Sequence, residues 1–360
     1  MMITLANEFA ERGFEVDLLL AQKEGPLLEY VSEKVRVVDL QASRLLWSLW
    51  PAVKYLRHTR PEVLVGSMEH VVMISVLAKW LSWSRVKIIA RVANTLSVSL
   101  QGTKWHRRLI RRYGAFVFYR LVDEVVCNSQ GSAEDLARLM HLSPESLKVI
   151  YNPTVTPEMK RKAEEGVDHI WLNDDRFKVV LGVGRLHEQK DFETLIKAFA
   201  RLKHTSRLEP EFRERLKLLI LGEGKKREKL ENLVRELGLK GEVDLPGFVK
   251  NSYAVMARSD VYVLSSRWEG LPNTLIEALA VGTPVVSTDC PSGPREILEG
   301  GKFGRLTPVG EVEPLSEAIK EALETSLGLE NREQHIQQFS AESSTDRYIS
   351  LVNTVTEGEV

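Results

Sequence analysis

Short runs rich in Val, Ile and Leu alternate with stretches of helical period along nearly the whole chain, and this alternation is what most restricts its fold. Glu62–Gly66, Val86–Arg91 and Glu124–Asn128 in the first part, and Lys178–Gly182, Leu216–Leu221 and Val261–Leu264 in the second, are too short for helices. Their apolar character predicts parallel strands buried on both faces, with helices packed above and below. At 360 residues, of which 43% are hydrophobic, the chain suits two α/β domains. A polar, charged stretch follows Tyr151-Asn152-Pro153. The reading therefore places a first domain at 1–155, a linker at 156–176, a second domain at 177–340 and a closing helix at 341–360.

Composition narrows the function. No run of about 18 uncharged apolar residues is present and the first residues do not read as a signal peptide, which leads us to expect a cytoplasmic protein. Cys127 and Cys290 are far apart and lack metal-ligand spacing, so both read as reduced and buried. The net charge of −1 conceals an asymmetry: residues 1–155 hold 20 Lys+Arg against 15 Asp+Glu, so the remainder is acidic. Between His70 and Val122 there are ten Lys or Arg and no carboxylate. Lys104, Arg107, Arg108, Arg111 and Arg112 fall in a predicted helix that also carries Trp105, Tyr113 and Phe116. Such a helix, near Trp47, Trp50, Trp80 and Trp83, fits an anionic membrane surface or a lipid diphosphate; a core helix with a solvated basic face is the other reading. Nucleic acid is not expected, because no binding motif accompanies the basic run and the second half is acidic.

The chemistry concentrates in Asp260–Gly282. Asp260-Val261-Tyr262-Val263-Leu264 reads as a strand, and Pro272 to Val281 as a helix with Pro at its start and Gly282 at its end. Backbone N–H groups of Gly270, Leu271, Pro272's successor Asn273, and Thr274 would then face the strand ends, a setting that favours phosphate. Glu269 and Glu277 frame this helix start, and a carboxylate can accept two hydrogen bonds from neighbouring hydroxyls of a sugar or ribose. Earlier, Gly182-Val183-Gly184-Arg185 leaves a strand and Lys190 opens the next helix. Glycine lets a ligand approach the backbone, and Arg185 and Lys190 could place two positive charges on a diphosphate.

The run Glu-Gly-Leu-Pro-Asn-Thr-Leu-Ile-Glu at 269–277 resembles the Glu-x(7)-Glu signature of the retaining glycosyltransferases of family four, and the resemblance extends over almost the whole chain. It implies an α/β protein of the GT-B fold: two Rossmann-like domains facing a cleft, with the last helix returning to the first domain. It implies a nucleotide-sugar donor, UDP-linked, held by Gly184, Arg185, Lys190, Glu223, Gly247, Phe248, Glu269, Gly270, Leu271, Pro272, Asn273, Thr274 and Glu277. Glu269, Arg185 and Lys190 would carry catalysis, Glu269 on the sugar hydroxyls and the two cations on the diphosphate; Glu277 would hold the ribose. Gly247 and Phe248 would border the base, although a turn glycine and a core aromatic also account for them. No Asp-x-Asp motif accompanies the site, so metal-independent transfer and no cofactor are expected. The implied acceptor is a glycan or polyprenyl-diphosphate-linked oligosaccharide at the inner face of the plasma membrane.

Two departures from the family pattern bear on activity. Ala93 stands where members often have a histidine in Arg91-Val92-Ala93-Asn94. Members also begin with a strand and a Gly-rich loop directly before the helix that here starts at Met2, so the first domain is expected to lack its usual first strand. A nucleotide-sugar-binding protein with weakened or lost catalysis is therefore the alternative.

Overall fold

The computed structural model describes residues 1–93, 95–99, 113–205, 208–325 and 331–357. They fall into two units, Met1–Pro153 with Phe339–Val360, and Thr154–Gln338.

The first unit begins with helix α1 (Met2–Glu11), followed by β1 (Asp17–Leu20), β2 (Arg36–Asp39), α2 (Leu49–Thr59), β3 (Val63–Ser67) and α3 (Glu69–Ser82). It continues through β4 (Lys87–Val92), β5 (Glu124–Cys127), α4 (Gln130–Met140) and β6 (Leu147–Val149). Strands β3-β4-β5-β6 form one parallel sheet, while β1 pairs only with β2. The sheet of this unit is thus in two pieces: among the described residues no strand hydrogen-bonds β1 to β3. Helix α1 serves both pieces. Leu5 and Phe9 pack with Ile89, Val126 and Ile150, whereas Ala6 and Ala10 pack with Val16, Leu18 and Val35. The apolar residues of α1 recur at three- and four-residue spacing over an arc wide enough to meet two surfaces.

The second unit opens with α5 (Pro157–Ala163), in the segment read from sequence as a linker. The Thr156 side chain accepts from Met159 N–H at 3.1 Å, Pro157 fits the first helical position, and Met159 is buried. Asn251 Nδ2 donates to Lys162 O at 2.9 Å, which satisfies a carbonyl at the helix end. A polar surface concealed one apolar anchor. The unit continues with β7 (Lys178–Val183), α6 (Phe192–His204), β8 (Leu216–Leu221), α7 (Arg227–Glu236), β9 (Val243–Gly247) and α8 (Ser252–Arg258). After these come β10 (Val261–Leu264), α9 (Asn273–Ala280), β11 (Val285–Thr288), β12 (Arg305–Thr307) and α10 (Val312–Glu324). The sheet order is β12-β11-β10-β7-β8-β9, all parallel. Strand interiors are buried on both faces: Val180, Leu218, Ile220, Val261 and Val263 pack beneath Leu195, Phe199 and Ile319. The order reverses next to β7, and loops leaving β7, β8, β9 and β10 emerge at one edge, where open α/β sheets bind ligands.

The last helix, α11 (Ala341–Glu357), belongs to the first unit. Tyr348 and Leu351 pack with Leu5 and Ile89, and Ser344 Oγ donates to Tyr151 O at 2.9 Å.

Candidate functional site

The loop after β7 and the loop after β10 are laced together. Arg267 N–H donates to Gln189 O at 2.8 Å, Ser265 Oγ to Lys190 O at 2.7 Å, and Gln189 Nε2 to Trp268 O at 3.0 Å. Asp191, a buried residue in the left-handed region, accepts from Arg267 Nε at 3.0 Å and from Thr194 Oγ1 at 2.9 Å. These contacts bring Lys190 and Glu269 together. Lys190 Nζ lies 2.7 Å from Glu269 Oε1, and Ser266 Oγ donates to the same oxygen at 2.6 Å. Gln189 Nε2 reaches Oε2 at 3.3 Å. The Glu269 side chain is only 8% exposed, and these donors replace the water that its oxygens would otherwise bind.

Gly184 makes room for this arrangement. A Cβ there would meet Lys190 Cε at 2.8 Å, so the lysine stem lies directly over bare backbone. Arg185 differs from Lys190: it is exposed, and among the described residues its guanidinium has no ion-pair partner. One cation is held by a carboxylate and the other faces solvent.

Helix α9 starts at Asn273 with Pro272 at its cap position and no capping side chain. Its first turn is pinned from below, where buried Tyr262 of β10 donates to Thr274 Oγ1 at 2.7 Å. Glu269 N–H donates to Pro291 O at 2.7 Å, and Ser292 Oγ to Gly270 O at 3.0 Å. Leu271 and Pro272 are buried in that connection, and Asn273 Oδ1 accepts from Thr154. The stretch expected to receive phosphate is therefore a fixed turn.

Glu277 lies just over one turn into α9. Burial pushes its carboxyl up to about 7, against the pull of Lys190. A carboxyl at 4.5 when unfolded and about 7 when folded takes up a proton on folding between those values. Its stabilising contribution is complete below about pH 4.5 and is lost as the pH rises through 7. Glu277→Gln, which never ionises, should melt above the parent at about pH 8 and alongside it at about pH 4. Scanning calorimetry at both pH values checks this; equal melting at the higher pH would show that the carboxyl titrates normally.

The remaining residues read from sequence are placed as follows. Glu223 is engaged by Arg227 through Nε at 2.9 Å and NH2 at 2.6 Å, and Arg227 also donates to Leu245 O, so Glu223 braces the β8 and β9 ends. Gly247 closes β9 and its carbonyl accepts from Gly222 N–H at 2.7 Å. Phe248 is 78% exposed, which removes the core-aromatic reading. Lys104, Arg107, Arg108, Arg111, Arg112 and Asn94 lie outside the described residues. Arg91 is buried and donates to Asn152 Oδ1 at 2.6 Å and to Ser67 Oγ at 3.1 Å, a structural use. Sequence reasoning gave no role to Ser266, Arg267, Asp191 or Tyr262. The neighbourhood of Ser266 and Arg267 to Glu269 was the available signal for two of them; for the others the partner is distant in sequence.

Two family profiles divide the chain. "Glycosyltransferase Family 4" matches residues 1–156, and "Glycosyl transferases group 1" matches residues 167–340. A Campylobacter jejuni protein, N-acetylgalactosamine-N,N'-diacetylbacillosaminyl-diphospho-undecaprenol 4-alpha-N-acetylgalactosaminyltransferase, is 30% identical over 301 residues, covering 84% of this chain and 74% of its own. The chain belongs to glycosyltransferase family 4. The lipopolysaccharide core biosynthesis glycosyltransferase LpsE of Rhizobium meliloti is 34% identical to this glycosyltransferase over 361 residues, covering 97% and 94% of the two chains. Anabaena Alr3699/HepE, solved in complex with UDP, superposes with a TM-score of 0.76 at 20% identity, over 98% of this chain and 95% of that one. The glycosyltransferase thus has the GT-B fold.

Proposed function

We propose that this glycosyltransferase moves a hexose or N-acetylhexosamine from a UDP-sugar, with retention of anomeric configuration, to a glycan or polyprenyl-diphosphate-linked acceptor. The observation that carries the reading is the Lys190–Glu269 contact at 2.7 Å, beside Arg185 and the start of α9. A cation and a carboxylate side by side support a reading in which one meets the departing diphosphate and the other the sugar's hydroxyls. Further support comes from relatives: the Campylobacter enzyme is named for a diphospho-undecaprenol-linked acceptor, and Anabaena HepE has been solved with UDP and with UDP and glucose.

In the proposed reaction the bond from the anomeric carbon to the diphosphate oxygen breaks, and an acceptor hydroxyl bonds the same face of that carbon. The hydroxyl proton passes to the departing phosphate oxygen. Arg185, Lys190 and the α9 start stabilise the developing negative charge, a role that can supply several kcal/mol. Glu269 orients sugar hydroxyls and Glu277 the ribose. Neither acts as a nucleophile, since Glu269 is already satisfied by three donors. Two cations neutralise the leaving group, so the reading expects turnover in the presence of chelator. It also places the enzyme peripherally at the inner face of the plasma membrane; no helix among the described residues is long and apolar enough to cross one.

The test is nucleoside diphosphate release from UDP-, GDP- and ADP-sugars, with and without membrane lipid extract and chelator. Release from one donor that rises with lipid extract supports the reading. Calorimetric binding of UDP without release from any donor would favour the alternative, a donor-binding protein without turnover.

A further inference from the structure

We infer that the outer face of the α2/α3 layer is a docking surface for an anionic lipid bilayer. The inference rests on the proposed function only in giving the enzyme a lipid-linked acceptor. Both helices bury their inner faces in one cluster around Leu64 of β3, with Ala52, Val53 and Leu56 from α2 and Ala78 from α3. Each leaves an outer face exposed. On α2 that face carries Trp50, Lys54 and Arg57 at spacings of four and three, with Trp47 one turn earlier. On α3 it carries Trp80 and Leu81, and Arg57 NH2 donates to Leu81 O at 2.7 Å, which joins the two sets.

The four tryptophans are 56% to 90% exposed, far more than an isolated fold gains from so large an apolar side chain. Trp83 makes the case most sharply. It caps α3 in the left-handed region, with φ 57° and ψ 30°, and is 90% exposed. That cap position favours Gly or Asn, so tryptophan there carries a conformational cost and buries almost nothing in return.

Charge selects the partner. Residues 40–61 and 70–122 contain no Asp or Glu, and Lys54, Arg57, Arg60 and Arg85 are all exposed around the tryptophans. Tryptophan among exposed Lys and Arg, where the nearby carboxylate Asp123 is already engaged by Lys79 and Lys87, is the chemistry of a bilayer interface with negatively charged headgroups. An interface with a second copy would bring these cations face to face.

Co-sedimentation with vesicles of phosphatidylglycerol and phosphatidylcholine, and with vesicles of phosphatidylcholine alone, tests the surface. The enzyme should pellet with the first and release as salt is raised, and it should bind the second weakly. Trp83→Gly should lower the partition coefficient by about tenfold while melting at or above the parent temperature, since glycine suits the cap. Trp80→Ser with Trp83→Gly should lower it further, leaving donor cleavage without lipid unchanged. These variants leave the basic segment around residues 104–112 intact, so binding that survives them overturns the inference. It is equally overturned if light scattering shows that the parent is an oligomer which the variants dissociate. Vesicle binding without any sugar transfer would instead remove the proposed function and leave the surface standing.

Discussion

Replacing Lys190 by methionine lowers kcat/KM for the sugar donor by about a hundred- to thousandfold, equivalent to about 3–4 kcal/mol of lost transition-state stabilisation. Two effects combine in that expectation. The ammonium is one of two cations assigned to the leaving diphosphate, and it is also the ion partner of Glu269, whose side chain is 8% exposed. Removing it takes away the ion partner of a buried carboxylate that keeps donors such as Ser266 and Gln189, and breaking a buried ion pair costs about 3–5 kcal/mol. The single variant should therefore also melt several degrees lower. Adding Glu269→Gln separates the two effects. The double variant regains thermal stability, because no uncompensated charge remains, but stays inactive. Recovery of turnover in the double variant would mean that Lys190 serves only to neutralise Glu269, and its assignment to the diphosphate would fall.

The second large effect is expected from Gly222→Ala. A Cβ at this position would stand 1.9 Å from Gly184 O, and Gly222 has φ +137°. The contact is backbone against backbone, so no side chain can move aside. Gly184 N–H donates to Leu221 O and Gly222 N–H to Gly247 O, so displacing this turn disturbs the β7, β8 and β9 ends together. A loss of several kcal/mol follows, enough to compromise folding of the second unit. Gly238→Ala is the control: φ is +69° but no atom lies within 4 Å of the added carbon. It should cost only about 1 kcal/mol. Chemical denaturation of both variants decides the matter. Similar midpoints would show that backbone preference, rather than the close approach, governs Gly222.

How far the chain could be read in advance depended on the range of the forces involved. The β10–α9 unit was legible because an apolar strand, a Pro at the helix start and a Gly after its end are local signals, and the structure gives Val261–Leu264 and Asn273–Ala280 there. Strand positions were legible for the same reason. Residues 156–176 were read as a linker because charge dominates them; only the packing of Met159 and the Asn251 cap reveal α5. Asp191 went unassigned because its partner Arg267 lies 76 positions away and no local pattern announces that pair. Phe248 could have been core or ligand-facing by composition, and exposure alone removed the first. The tryptophans were noticed in the sequence, whereas the left-handed cap at Trp83 is a backbone property that residue type would have argued against.

The divided sheet of the first unit bears on how that unit comes apart. A ribbon of two strands is marginal by itself. β1 and β2 depend on the Ala6 and Ala10 side of α1, and on Tyr55 of α2 donating to Asp17 at 2.6 Å. Strands β3 to β6, by contrast, share a core with α11 through Tyr348 and Leu351. The unit is therefore not one cooperative block. Amide protons of β1 and β2 should exchange through a local opening that leaves β4 and β5 protected, and limited proteolysis should cut within 17–39 before the rest of the unit.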